Sequence, residues 1–395
     1  MDVNKKNAGL KNVLFLGLVS FFIDLSTHMV YPLVPLYLVY AFGATPVLIG
    51  VVEGVSESVA SLLKVFSGYT TDRFKKKKAI AFIGYVPATI YKIMLLFAVS
   101  WVGIFAAKVV DRLGKGIRTS PRDVLISEST DKTKMGKSFG LHKALDMLGV
   151  ALGILITYFV LLYMGDDHSG FRTIFLIAIV PSVLGLCMFP FIKEKKEPRV
   201  EKGKEHFLKN FSRIDGQLKL YLLVVFLFAL GNSSNVFILL RAQDIGFATT
   251  TVILLYFVYS MTASILAMPL GKLSDRIGRK KLLVPGYITF ALCYFGFAFA
   301  TQQWTLVAIF VAYGVYTAMI SGVERAYVAE IAPEELKGTM LGLHATVAGV
   351  ALLPASVIAG IMWDAISPAA PFIFGASLSL IAALILVLFM KSTKD

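Results

Sequence analysis

The sequence is built from apolar blocks that are long enough to cross a membrane. Apolar residues make up 57% of the chain, and they occur in runs of about 20 residues or more that polar stretches separate. A helix rises about 1.5 Å per residue and the hydrocarbon layer is about 30 Å thick, so each run can span it. The runs predict twelve spans, at residues 12–40, 46–70, 79–100, 101–129, 137–163, 170–192, 220–241, 249–271, 281–300, 303–331, 338–364 and 369–390.

The basic residues indicate which way the chain crosses the membrane. The net charge is +14, and most of the 39 lysines and arginines lie at the termini or in connections that follow even-numbered spans. Only Arg172 and Arg241, near the ends of their spans, fall on the opposite side. The positive-inside rule therefore predicts a multi-pass protein of the cytoplasmic membrane with both termini in the cytoplasm. The basic surplus reports topology, and we expect no nucleic-acid partner.

Two motifs occur twice, about 200 residues apart. The pattern Gly-x-x-x-Asp-Arg runs from Gly68 to Arg73 and again from Gly271 to Arg276. A second shared run ends at His142 in one copy and at His344 in the other. Each copy follows an even-numbered span, which indicates a duplicated six-helix unit. We expect an N-terminal half at 1–192, a cytoplasmic linker at 193–219 and a C-terminal half at 220–395.

The run from Gly271 to Lys281 resembles the signature loop of the major facilitator superfamily, which lies between helices 8 and 9 and again between helices 2 and 3. The sequence that follows Glu330 resembles the family's sequence after helix 10. The first loop copy departs from the pattern, since Lys75 replaces its second glycine. The run from Asp111 to Asp123 is similar to that of a large, mostly uncharacterised prokaryotic branch.

This resemblance implies an all-α integral membrane fold of two six-helix pseudo-repeats that works by alternating access. It also implies that the loop residues, with acids near the ends of helices 4 and 10, latch the halves in one state. It further implies that spans 3, 6, 9 and 12 face lipid; they hold no interior charge except Lys92. The expected gating residues are Gly68, Asp72, Arg73, Asp123, Gly271, Asp275, Arg276, Gly278, Arg279, Glu324 and Glu330.

Ionisable residues inside a span cost several kcal/mol unless they face protein or a cavity, so they point to function. Span 101–129 carries Lys108, Arg112, Lys115 and Arg118 at spacings of three and four, which places them on one helix face. Counted from the start of the span, Arg112 and Lys115 lie roughly 16–21 Å deep, near the midplane. The bases either pair internally, for example Lys115 with Asp111, or line a cavity; their excess favours a cavity.

Carboxylates at similar depth are candidates for proton coupling, namely Asp24, Glu53, Glu57 and Asp146. A carboxylate beside a base can bind and release protons when the base moves or is taken by a solute. The alternative is a fixed ion pair. The second half offers uncharged polar groups for the cavity instead, among them Asn232, Asn235 and Tyr256.

The sequence therefore predicts a secondary transporter of a small organic solute, anionic or amphipathic, that is coupled to protons and works as a monomer in the bilayer. No cofactor or metal is expected. An enzyme is not expected either, because no metal-binding or phosphate-binding motif is present and the Gly-x-Ser-x-Gly at 136–140 follows a transmembrane helix rather than a strand. The alternatives are an efflux antiporter for many drugs or a membrane sensor that does not transport.

Overall fold

The structure, a computed structural model, describes the backbone of residues 3–74, 76–130, 135–194, 216–332 and 337–390. It describes the side chains of residues 11–63, 67, 76–130, 138–194, 216–332 and 340–390. These residues form helices and no β-strand. Eleven helical spans are long and apolar enough to cross a membrane, and α5 (Trp101–Glu128) is as long but carries the row of ionisable residues. The predicted all-α integral membrane fold is confirmed.

The helices follow the apolar blocks closely. A short 3-10 turn at Phe189–Phe191 closes the first set of helices. The elements before it are α1 (Val3–Val30), α2 (Leu33–Phe42), α3 (Pro46–Phe74), α4 (Lys77–Phe97), α5, α6 (Met135–Met164) and α7 (His168–Cys187). Those after it are α8 (Gly216–Gly231), α9 (Val236–Asp244), α10 (Thr249–Ile277), α11 (Arg279–Phe299), α12 (Gln303–Ile320), α13 (Val323–Ile331), α14 (Lys337–Ala365) and α15 (Ala370–Phe389).

Three predicted spans are broken helices. Span 12–40 breaks at Tyr31 and Pro32, and span 220–241 breaks at residues 232–235. Proline lacks a donor, and short polar side chains bond to nearby backbone, so both sequences favour an interruption. The two breaks fall at equivalent places in the repeat, which is typical of substrate sites in transporters. Span 303–331 breaks before Gly322, whose φ of 97° suits glycine.

The helices pack into two compact units. One comprises Met1–Ala44, Val55–Pro198 and Thr249–Phe257. There α1 packs on α6 and α7, and α4 packs on α5 and α7. The other unit comprises Thr45–Gly54, Arg199–Ala248 and Val258–Asp395, where α11 packs on α12 and α15, and α8 packs on α14 and α15. The division into halves at the 193–219 linker stays a prediction.

Glycines let α6 approach the backbone of α1. A Cβ on Gly149 would lie 2.4 Å from the carbonyl oxygen of Phe21, and one on Gly153 would lie 2.3 Å from that of Leu25. One turn further, Thr157 Oγ1 donates to the carbonyl oxygen of Met29 at 2.7 Å. This close packing fixes the polar side chains of α1 against their neighbours on α5 and α6.

Candidate substrate site

Three of the four bases predicted on one face of α5 are buried within their unit. Lys108, Arg112 and Arg118 are each no more than 6% exposed. The helix sits deep because small residues face its neighbours. A Cβ on Gly114 would lie 2.7 Å from the carbonyl oxygen of Gly84 on α4. The positive row is therefore held inside protein rather than turned toward lipid, as the cost of buried charge requires.

The Arg112 guanidinium bridges two carboxylates. Its Nη2 lies 2.8 Å from Oε1 of Glu57 on α3, and its Nη1 donates to Oδ2 of Asp111 at 3.1 Å. Arg112 and Asp111 are almost fully buried, whereas 24% of the Glu57 side chain is exposed. The structure thus brings Arg112 together with one of the acids at its predicted depth, and Asp111 pairs with Arg112 rather than with Lys115.

The Tyr31 ring lies beside two of these bases. Arg112 Cζ is 5.7 Å and Lys108 Nζ is 6.0 Å from its centroid. The rings of His28 and Tyr256 pack on Tyr31 with centroids 5.9 Å away. Cation–π contacts are worth about 0.5–2 kcal/mol, so the aromatic group helps to retain the buried charges. Sequence reasoning selected Tyr256 and missed the other two rings, although Pro32 indicates the helix break beside them.

Two further bases of α5 form no ion pair within 4 Å among the residues whose side chains are described. Lys115 is half-buried, and its ammonium forms no ion pair shorter than 4 Å with any residue whose side chain is described. Arg118 lies over the ring of Tyr85, with Cζ 4.8 Å from the centroid. Its buried Nη1 has no hydrogen-bond partner among the described residues. These two groups supply positive charge that an anionic ligand can neutralise.

Lys92 on α4 is a further buried base, which the sequence reasoning assigned to a lipid-facing helix. Its side chain is 0% exposed, and Nζ donates to Oγ1 of Thr27 at 3.2 Å. The opposite face of α4 exposes Ile83, Ile90 and Phe97. One helix therefore has an apolar outer face and an inward lysine. The signal in the sequence is the cost of a lone lysine in an apolar span.

The other predicted acids occupy different surroundings. Asp146 Oδ2 lies 3.5 Å from His142 Nδ1, and Glu53 on α3 is 1% exposed. Asp24 is half-buried on α1, within electrostatic range of His28 and Asp146. It forms no ion pair shorter than 4 Å with a described side chain. Asp24 is therefore not brought to Arg112.

The second unit carries an uncharged network at the break between α8 and α9. Asn232 Nδ2 donates to the hydroxyl of Tyr316 at 2.9 Å, and Asn235 Nδ2 donates to that of Tyr259 at 3.2 Å. Tyr313 donates to Asn235 Oδ1 at 2.9 Å. The two predicted asparagines thus share one tyrosine-lined region. Side-chain bonds of this kind stabilise a non-helical segment at membrane depth.

The gating residues of the second copy form a compact group. Arg279 Nη1 donates to Glu330 Oε2 at 2.6 Å and to the carbonyl oxygen of Ala326 at 2.9 Å. Its Nη2 lies 3.7 Å from Oδ1 of Asp275, whose side chain is 68% exposed. Gly278 joins α10 to α11 with a φ of 96°, a conformation that favours glycine.

The remaining gating residues have varied surroundings. Glu324 Oε1 accepts a hydrogen bond from the Tyr287 hydroxyl at 2.8 Å, and Asp123 pairs with Arg122 at 2.9 Å. Arg276 is exposed, and a Cβ on Gly271 would meet open space. Among the described residues no cluster of histidine, cysteine and acidic side chains suits a metal ion. The side chains outside the described part of the chain include those of Gly68, Asp72 and Arg73.

Comparison with known proteins assigns the chain to a family. The model of the Major Facilitator Superfamily matches residues 16–240 and 220–395. An uncharacterized MFS-type transporter of Methanocaldococcus jannaschii is 38% identical over 383 residues, which cover 95% of this chain and 94% of the relative. A class H tetracycline resistance protein of Pasteurella multocida is 31% identical over 136 residues, which cover 34% of each chain.

Solved structures share the fold at low identity. The nucleoside transporter NupG, in a mutant form, superposes with a TM-score of 0.81 at 13% identity, over 97% of this chain and 100% of its own. A D-xylose-proton symporter superposes with a TM-score of 0.75 at 16% identity, over 98% of both chains. With the apolar spans, the repeated loop and the broken helices, these findings show that the chain belongs to the major facilitator superfamily and is a secondary transporter.

Proposed function

We propose that the protein carries a small organic anion across the cytoplasmic membrane and couples its movement to protons. The observation that carries this proposal is the buried Arg112, which shares its charge with Glu57 at 2.8 Å. The Glu57 side chain is partly exposed, whereas Arg112 and Asp111 are buried. A solute carboxylate that enters from the Glu57 side can therefore replace Glu57 as the partner of Arg112.

The surrounding charges favour an anion over a cation. Lys115 has no acid within 4 Å among the described side chains, and Arg118 faces a ring rather than a carboxylate. Removing an ion from water costs several kcal/mol unless it finds a counter-charge. An organic cation would have to displace bases here, whereas an anion would complete their pairing. Tyr31 and its neighbouring rings suit an apolar or aromatic body on the same solute.

Proton coupling follows from the replacement of Glu57 by the solute as the partner of Arg112. When a solute takes Arg112, the Glu57 carboxylate loses that guanidinium, and withdrawing a counter-charge from a carboxylate at this depth is costly. Proton binding to Glu57 removes that cost, so solute and proton bind together. Solute binding and proton binding then strengthen each other by the same factor, as thermodynamic linkage requires.

The scaffold supports alternating access in this proposal. Two six-helix halves at 1–192 and 220–395, joined by a cytoplasmic linker at 193–219, alternate between an outward-open and an inward-open state as one monomer with both termini in the cytoplasm. The supports are the repeated loop motifs and the paired helix breaks at Tyr31 and at residues 232–235. The loop residues Asp275 and Arg279 would latch one end state.

Counterflow in proteoliposomes tests the proposal. The probes are benzoate, aliphatic mono- and dicarboxylates, sugar phosphates and uncharged analogues of each, assayed with and without a pH gradient. We expect exchange of at least one anion class, accumulation driven by the gradient, and no exchange of the uncharged analogues. Exchange of uncharged or cationic probes alone would overturn the proposal.

A second candidate is drug efflux, which the partial similarity to the class H tetracycline resistance protein supports. That match covers about a third of the chain. In addition, α6, the helix that carries Asp146, lacks the proline found in the fifth-span motif of the family's drug–proton antiporters. Tetracycline belongs in the same counterflow panel. Its exchange against a proton gradient, together with failure of every simple anion, would favour efflux over the anion proposal.

A further inference from the structure

A second buried acid–base cluster lies between α1, α4 and α6. Ser20 Oγ is 2.9 Å from His142 Nε2 and 3.2 Å from the Tyr85 hydroxyl. On the other side of the ring, His142 Nδ1 is 3.5 Å from Asp146 Oδ2. All four residues are 7% exposed or less. The anion site uses none of them.

The His142–Asp146 contact has unused bonding capacity. A bond between a charged nitrogen and a carboxylate is usually about 2.7–2.9 Å long, so 3.5 Å leaves this pair open. The other oxygen of Asp146, Oδ1, is buried and has no hydrogen-bond partner among the described residues. One added proton, on the carboxyl group or on the imidazole, would let this contact close to a full hydrogen bond.

Groups on every neighbouring helix face this pair. Asp24 on α1 and Arg122 on α5 are close enough to act on Asp146 electrostatically. They carry opposite charges, so neither sign dominates the surroundings of the pair. The titratable and charged groups around the pair are Asp24 on α1, Tyr85 on α4, Arg122 and Asp123 on α5, and Lys143 on α6.

A polar stripe on α1 leads from this cluster toward Arg112. Ser20, Asp24, His28 and Tyr31 follow at steps of four, four and three residues, which places them along one side of the helix. Ser20 contacts His142 at one end, and Tyr31 contacts the bases of α5 at the other. The stripe spans roughly 16 Å. Asp24 therefore lies on this stripe between the cluster and the bases of α5.

We propose that His142 and Asp146 together bind a second coupling proton, with Ser20 and Tyr85 as positioning residues for the imidazole. Without the proton, a neutral imidazole faces a carboxylate. A proton from water on one side then binds to the pair, on the carboxyl group or on the imidazole, and makes the pair neutral overall; it later leaves to water on the other side. This inference rests on the proposed proton-coupled transport and adds a carrier distinct from Glu57.

Nitrogen NMR of protein with isotope-labelled histidine, in lipid nanodiscs and without solute, tests the pair directly. The chain has five histidines, and His142→Gln identifies the His142 signal by removing it. Asp146→Asn is expected to move the midpoint of the His142 titration by about one pH unit or more. An unchanged midpoint would overturn the proposal.

The positioning residues supply a second measurement, which holds even if Asp146→Asn fails to fold. Ser20→Ala is expected to change the tautomer of His142. The control is Ser182→Ala, at a buried serine that donates to the carbonyl oxygen of Ile179 in its own helix, and it should leave the signal unchanged. Equal spectra from the two serine variants would contradict the role of Ser20.

Transport separates this inference from the proposed function. Failure of every anion in counterflow, with the His142 titration behaving as expected, would refute only the proposed substrate. In the converse case, anion counterflow works in the wild type, and Asp146→Asn still accumulates the anion under a pH gradient as the wild type does. That result would refute the proton pair and leave the anion site standing.

Discussion

Arg279 on α11 binds Glu330 on α13 at 2.6 Å. About 200 residues earlier in the repeat, Lys77 on α4 binds Glu128 on α5 in the same arrangement. The next residue in each copy also matches. Lys78 donates to the carbonyl oxygen of Pro190, after α7, and Lys280 donates to that of Met390, after α15. The duplication therefore preserves ion pairs as well as loop motifs. The sequence motifs alone reveal only the loops.

The first prediction concerns the latch. Asp275 is 68% exposed and 3.7 Å from Arg279, so in this state the pair contributes little to stability. Asp275→Asn is expected to slow transport while leaving the Tm unchanged and solute affinity within about tenfold, or about 1.4 kcal/mol. Counterflow rates and binding isotherms on one preparation check this. Wild-type turnover in Asp275→Asn would count against a latch.

A second prediction concerns the buried lysine. Thr27→Val removes the hydrogen-bond acceptor of Lys92 and is expected to cost about 1–3 kcal/mol of stability, because the ammonium stays buried. Thr89→Val is the matched control: Thr89 is equally buried, and its hydroxyl has no partner among the described residues. Thermal unfolding in detergent should give a lower Tm for Thr27→Val than for the wild type, and an unchanged Tm for Thr89→Val. Equal Tm values for the two variants would show that the hydrogen bond between Lys92 and Thr27 contributes little to stability.

A third prediction tests the packing of α6 on α1. Gly153→Ala would place a Cβ 2.3 Å from the carbonyl oxygen of Leu25 and must push the helices apart, at a cost of about 1–3 kcal/mol. Gly140→Ala, on the same helix, meets open space and should be neutral or slightly stabilising. Thermal unfolding compares the two alanines. A harmless Gly153→Ala would mean that the contact is loose.

A fourth prediction concerns the Tyr31 ring. Tyr31→Leu removes the ring face beside Arg112 and Lys108 and is expected to weaken anion binding several-fold, since such contacts are worth about 0.5–2 kcal/mol. Tyr31→Phe keeps the ring and should retain most of the affinity. Binding isotherms with the best anion from counterflow decide this. If both variants bind alike, the ring has no part in recognition.

Much of the fold follows from the sequence because one physical quantity, the length of an apolar run, fixes each span. Hydropathy averaged over about 20 residues hides the break at Tyr31 and Pro32, because the flanking residues are apolar on both sides. It also hides Lys92, whose helix keeps an apolar outer face. The composition of a span therefore predicts that it crosses the membrane and leaves its inward residues unspecified.

The site shows a different limit. Counting residues along a helix gives the depth of a side chain and leaves the rotation of the helix unknown. Asp24 and Glu57 have about the same predicted depth of roughly 16 Å. Glu57 forms an ion pair with Arg112, whereas Asp24 forms none with Arg112 within 4 Å and lies within electrostatic range of His28 and Asp146. The spacing on α5 predicts one shared face because all its bases lie on one helix, where relative rotation is fixed.

The most direct test of the anion site is the affinity of the best counterflow anion for Arg112→Ala, Glu57→Gln and the double variant. Arg112→Ala is expected to lose affinity about 100-fold or more, because charged hydrogen bonds of about 1.5–3 kcal/mol are removed with the charge. Glu57→Gln should bind the anion with little dependence on pH. The contradicting result has two parts. Arg112→Ala only unfolds, and the double variant binds and transports the anion as the wild type does. Arg112 and Glu57 would then be a structural ion pair, and the proposed anion site would be wrong.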